Sequence, residues 1–166
     1  ERIARVNFFP RNAEDEIKEA ATLTITQEAA IKIEDTRAGD SIAMLVIYEK
    51  LNMFSTPWNS SERLENWHNV TLWEKTDTNL PCPEAVGRVR SVSYSMFKTK
   101  ETIPQEIRYL KYLEELYIGT NVNTMLLNIE LGNEICELEY LKKLTIFAYG
   151  LISLPEEFVK LGNTLE

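Results

Sequence analysis

The sequence predicts an α/β solenoid built from short repeated strand units, with a separate pair of strands ahead of it. The C-terminal half holds three similar segments. They begin at Ile103, Leu131 and Leu154, spaced 28 and 23 residues apart. That spacing falls in the period of roughly 20–29 residues used by solenoids with one strand per repeat. The first two segments close on short alternating strands, Leu113-x-x-Leu116-x-Ile118 and Leu141-x-x-Leu144-x-Ile146. Alternation sends Leu116 and Ile118 to one face and Glu115 and Tyr117 to the other. One such unit cannot bury its own apolar face, so copies have to stack.

Taken in chain order, Arg2 to Phe9 and Thr22 to Gln27 read as two strands, joined by the polar, acidic stretch Asn12 to Glu19. Two strands alone are marginal in water. Residues 31–40 read as a linker, with Gly39-Asp40 as the break before a helix running from about Ala43 to Leu51. Val89-x-x-Val92-x-Tyr94 is a degenerate early copy of the strand unit, entered through Gly87-Arg88. The full repeats follow, and the third breaks off after Leu165-Glu166.

Composition narrows the function classes. The 166 residues are 44% apolar and 27% charged, which suits one ordinary domain or two small ones. The longest apolar run, Ile42 to Tyr48, is far too short to span a bilayer. A net charge of −8 makes a poor nucleic-acid binder, because phosphate affinity comes mainly from Lys and Arg. Cys82, between two prolines, and Cys136, in an apolar pattern, do not make a disulfide framework. With no CxxC and a single histidine, His68, neither a metal site nor a cofactor is expected. The chain opens at Glu1 without a signal peptide and reads as a piece of a longer protein.

The block Gly87-Arg88-Val89, Ile103-Pro104-Gln105-Glu106-Ile107, Leu113-Glu114-Glu115-Leu116 and Asn121 resembles the start of bacterial and plant-type leucine-rich-repeat proteins. The resemblance implies a helical, tryptophan-rich N-terminal cap over residues 41–86, with Trp58, Trp67 and Trp73 covering the solenoid end, and repeats over 87–166. Asn121 fits the family's asparagine ladder, whereas Tyr149 stands at the next such place. The longer repeat carries an extra segment, Val122 to Glu130, expected to bulge from the convex side. The stretch Ala21 to Ala29 is similar to the last strand of BACON-type β-sandwich modules, which implies that residues 1–30 are a β-hairpin or the remnant of such a sandwich. Together these resemblances imply a secreted or surface-anchored bacterial protein, for instance a lipoprotein. Any membrane anchor would lie outside this chain.

No enzymatic motif emerges. His68 lacks a nucleophile partner, and no G-x-S-x-G occurs. Glu14, Asp15, Glu16 and Glu19, then Glu114 and Glu115, then Glu156 and Glu157, read as solvated acidic faces rather than the paired carboxylates of a glycosidase. The tryptophans read as packing residues rather than a sugar platform. The expected working surface is the concave sheet face, carrying Ser91, Ser93, Ser95, Glu115, Tyr117, Lys143, Thr145 and Phe147. Tyr117 and Phe147 are of the class enriched at interface hot spots. The expected function is therefore non-catalytic recognition of a protein partner. Carbohydrate binding and a structural spacer are the alternatives.

Overall fold

The structure, a computed structural model, describes residues 2–8, 21–27, 32–53, 58–95, 102–119, 129–147 and 150–166. The chain divides into two units, Glu1–Lys32 and Ile33–Glu166. In the first, β1 (Arg2–Phe8) and β2 (Ala21–Gln27) pair antiparallel, from Arg2 opposite Gln27 to Phe8 opposite Ala21.

The second unit opens with helix α1 (Arg37–Lys50). Its N-cap is Thr36, whose hydroxyl accepts the Gly39 amide at 3.1 Å. The helix thus starts before Asp40, and residues 37–40 form its first turn rather than the end of a linker. Gly39 is required there, because a Cβ would lie 1.8 Å from the Glu34 carbonyl oxygen. Ala43, Met44, Ile47 and Leu51 recur at helical spacing and are all buried.

The sheet of this unit has four strands in the order β3 (Val70–Leu72), β4 (Val89–Ser95), β5 (Glu115–Gly119), β7 (Lys143–Phe147). The β3–β4 pair is antiparallel, and the other two are parallel. Val92, Leu116 and Leu144 lie side by side, as do Tyr94, Ile118 and Ile146. This apolar face packs on a row formed by α1 and the 3-10 helices Gln105–Tyr109, Asn133–Glu137 and Glu156–Asn163. Ile107, Ile135 and Leu161 are the buried members of those short helices, so the core is the layer between sheet and helices. Two short strands, β6 (Ile129–Glu130) and β8 (Leu151–Ser153), form a separate parallel pair.

The expected solenoid with its tryptophan-rich cap is not what forms. The architecture is a small mixed α/β fold on one four-stranded sheet. A solenoid needs equivalent units stacked in one direction. Here the parallel run is three strands, and antiparallel β3 pairs on its β4 side. Ahead of the third segment, Leu151–Ser153 pairs with β6 rather than with β7. Among the described residues, β1 and β2 each pair with the other alone. The Asn12–Glu19 connection, the ladder positions Asn121 and Tyr149, and most of the Val122–Glu130 bulge lie outside the described residues.

Candidate functional site

The outward face of the sheet is set by register. Ser91, Glu115 and Lys143 form one row, Ser93, Tyr117 and Thr145 the next, and Ser95, Gly119 and Phe147 the last. Thr71 extends the first row onto β3. All eight side chains singled out in the sequence therefore share one face. Most are half-buried, while Lys143 is exposed and Phe147 is 55% exposed. The first two rows line a shallow concavity of about 180 Å³. Gly119 serves this face by having no side chain: a Cβ there would meet the Tyr117 hydroxyl at 2.9 Å and the Phe147 carbonyl at 3.0 Å.

One end of the face is rimmed by charge. The Glu114 amide donates to the Arg90 carbonyl at 2.7 Å, the Lys142 amide to the Glu114 carbonyl at 2.9 Å, and the Glu166 amide to the Lys142 carbonyl at 2.9 Å. The side chains on this main-chain ladder alternate in sign. Arg90 Nε donates to Glu114 Oε2 at 2.6 Å, and Lys142 Nζ lies 3.3 Å from Glu114 Oε1 and 3.9 Å from Glu166. Asn79 also donates to Glu114 Oε1, at 2.6 Å. Arg90 further reaches Asp77 at 3.2 Å and lies over the Trp73 ring, 4.6 Å from its centroid. The register shift between Thr71 and Leu72 makes Arg90 the extra residue of a bulge, which re-aims its side chain. Glu114 is only 5% exposed, so the solvated acidic pair expected at 114–115 is corrected: Glu114 is the buried hub of an ion-pair network. A hollow of about 270 Å³ lies here, lined by Asn79, Arg90, Glu114, Glu115, Lys142 and Lys143.

A second network supports β4. Arg88 Nη2 and Nε donate to the two Asp40 carboxylate oxygens at 2.7 and 2.9 Å, and Nη1 donates to Asp35 at 2.7 Å. Asp40 also accepts the Val89 amide at 3.1 Å. Burial raises the Asp40 pKa and works against the charge on Arg88; the two carboxylates outweigh that burial and hold the guanidinium charged. The hydrogen bond from Arg88 keeps Asp35 below its ordinary value. Nothing in the sequence marks the Asp40–Arg88 pairing beyond an Arg placed after Gly87, whose φ of +80° suits glycine.

The remaining candidates fall away from the face. Trp58, Trp67 and Trp73 are buried. Trp58 stacks on Trp67 at 5.5 Å and meets Tyr94 edge-on at 5.5 Å, and its indole N–H donates to the His68 carbonyl at 3.0 Å. Trp73 donates to the Tyr112 carbonyl at 2.8 Å. They present no exposed sugar platform. His68 itself is exposed. Cys82 and Cys136 are free thiols. Among the described residues, no group of three or more His, Cys, Asp or Glu is placed to hold a metal, and no helix is long and apolar enough to cross a membrane.

No family model and no curated protein matches the chain. A solved structure does: one described as the crystal structure of a plant ice-binding protein is 22% identical, with a TM-score of 0.54 over 77% of this chain and 38% of that one. The likeness is one of fold. The present chain thus spans well under half the length of that neighbour. The comparison overturns the leucine-rich-repeat and BACON resemblances, since the neighbour is described as neither. The descriptors drawn from those resemblances lose their support with them.

Proposed function

We propose that this chain is a non-catalytic recognition module that binds a protein partner through the outward face of the four-stranded sheet. The observation that carries this reading is the in-register placement of Tyr117 and Phe147 beside the opposite charges of Glu115 and Lys143. Aromatic side chains are the usual anchors of protein interfaces, and flanking charges set orientation and partner choice. The first test is binding of the full chain to parallel protein and glycan arrays, with a Tyr117→Ala/Phe147→Ala variant beside it. Protein hits that disappear in a variant of unchanged circular dichroism support the reading. Glycan hits that survive the double substitution overturn it.

A second reading draws on the plant ice-binding neighbour. Ser91, Ser93 and Ser95 along β4, with Thr71 and Thr145 on flanking strands, give this face a regular array of hydroxyls. Strands repeat at about 4.8 Å, so such hydroxyls are evenly spaced. Glu115 and Lys143 interrupt the array with charge, which favours the first reading. Thermal hysteresis of the purified chain, absent in a Ser93→Tyr variant, would reverse that preference.

A further inference from the structure

The charged side chains at one end of the outward face fall into two groups. Arg90, Asp77, Glu114 and Lys142 are joined to one another. Glu115 and Lys143 stand opposite each other in register, yet among the described residues neither side chain makes an ion pair or a hydrogen bond. Their settings differ. Lys143 is exposed, and its long stem can carry the ammonium out to water. Glu115 is half-buried and lines the concavity of about 180 Å³ together with Ser91, Ser93 and Tyr117. A partner that covers this face removes water from Glu115, and a desolvated carboxylate without a donor is costly.

We infer that the partner fills this concavity with an arginine side chain, its guanidinium on the Glu115 carboxylate and against the hydroxyls of Ser91 and Ser93. The inference rests on the outward-face reading above and names the chemistry that face takes. A carboxylate accepts two parallel N–H bonds from a guanidinium, a geometry that an ammonium cannot match. On β4, Ser91 stands beside Glu115 and Ser93 beside Tyr117, so their hydroxyl oxygens are acceptors for the remaining guanidinium N–H groups. The Tyr117 ring leans along β5 toward Gly119, where a Cβ would meet its hydroxyl at 2.9 Å and its Cε1 at 3.0 Å. That lean turns the ring away from Glu115 and gives the arginine stem an apolar surface to lie on. The neighbouring cations are unequal obstacles. Arg90 and Lys142 are held by Glu114, and Arg90 by Asp77 as well, whereas Lys143 is uncompensated and opposes the incoming charge.

The probe is a library of random linear peptides displayed on phage and selected on the full chain. Selected peptides are then synthesised, with Ala or Lys in place of the arginine, and titrated into the parent and its variants. The expected result is a shared arginine whose replacement by Ala weakens binding about tenfold or more, with a similar loss on Glu115→Gln. Selection on Glu115→Lys should exchange that arginine for Asp or Glu. Lys143→Gln should tighten the arginine peptides about two- to fivefold, because a like charge is removed. Peptides that need Tyr117 and Phe147 but share no arginine, or that bind Glu115→Gln as well as the parent, would overturn the inference and leave the outward-face reading standing. So would weaker binding to Lys143→Gln, which would place an acid of the partner at Lys143 instead. Peptides indifferent to the Tyr117→Ala/Phe147→Ala substitutions, or no selected peptide at all, would overturn both.

Discussion

The β3 side and the β7 side of the sheet are made of the same kinds of residue and end up differently packed. On the β3 side, α1, the stacked Trp58 and Trp67 and the Arg88–Asp40 pair enclose Val89, Val92 and Tyr94 completely. On the β7 side, the corresponding Leu144 and Ile146 are half-buried. The sequence pattern at the two places is similar, since Val89-x-x-Val92-x-Tyr94 and Leu141-x-x-Leu144-x-Ile146 are apolar at the same three positions. Burial therefore depends less on the pattern a strand carries than on what stands beside it.

The sharpest way to break that contrast is at the buried ion pair. Arg88→Ala leaves Asp40 charged and enclosed, and should cost about 3–5 kcal/mol in urea unfolding. A loss below about 1 kcal/mol would mean that the pair does not hold the closed side together. Next come the matched truncations. Leu116→Ala removes a fully buried side chain and should cost about 2–5 kcal/mol. Leu144→Ala, at a half-buried site, should cost less than half as much. Equal losses would erase the difference between the central strand and the β7 side.

Acid unfolding gives a smaller effect with a fixed sign. The guanidinium of Arg37 beside it holds Glu65 down at about 2, and Arg88 holds Asp35 below its ordinary value. Between their folded and unfolded pKa values these groups bind more protons in the unfolded chain, so stability rises with pH. The contribution is complete above the unfolded values, near pH 4, and fades as pH falls toward 2. The stability gap between the parent and an Arg37→Gln variant should thus be present at pH 6 and closed near pH 2. A gap that persists unchanged into acid would place its origin in packing instead. Smallest of all, Lys143→Ala should change stability by less than about 0.5 kcal/mol, as an exposed substitution does. Its effect belongs to partner binding at the outward face.

Much of the local structure was legible in the residues. Alternation assigned Leu116 and Ile118 to the core and Tyr117 to the outer face, because a strand's side chains alternate whatever fold surrounds it. The residues predict a helix from about Ala43 to Leu51, but that Ala43, Met44 and Ile47 form its buried face is known from the folded chain. The acidic balance and the single histidine are likewise properties of the sequence alone. What only the tertiary structure decided is how those pieces were joined. Repeat spacing suggested an open stack, yet β3 turned back antiparallel and Leu151–Ser153 paired with β6, since both choices depend on partners far away in the chain. Asp40 and Arg88, 48 residues apart, and Asn79 and Glu114, 35 apart, were drawn together by the same long-range packing. Charged residues carry no periodicity that announces a buried partner, so only the folded chain reveals which of them are networked and which face water.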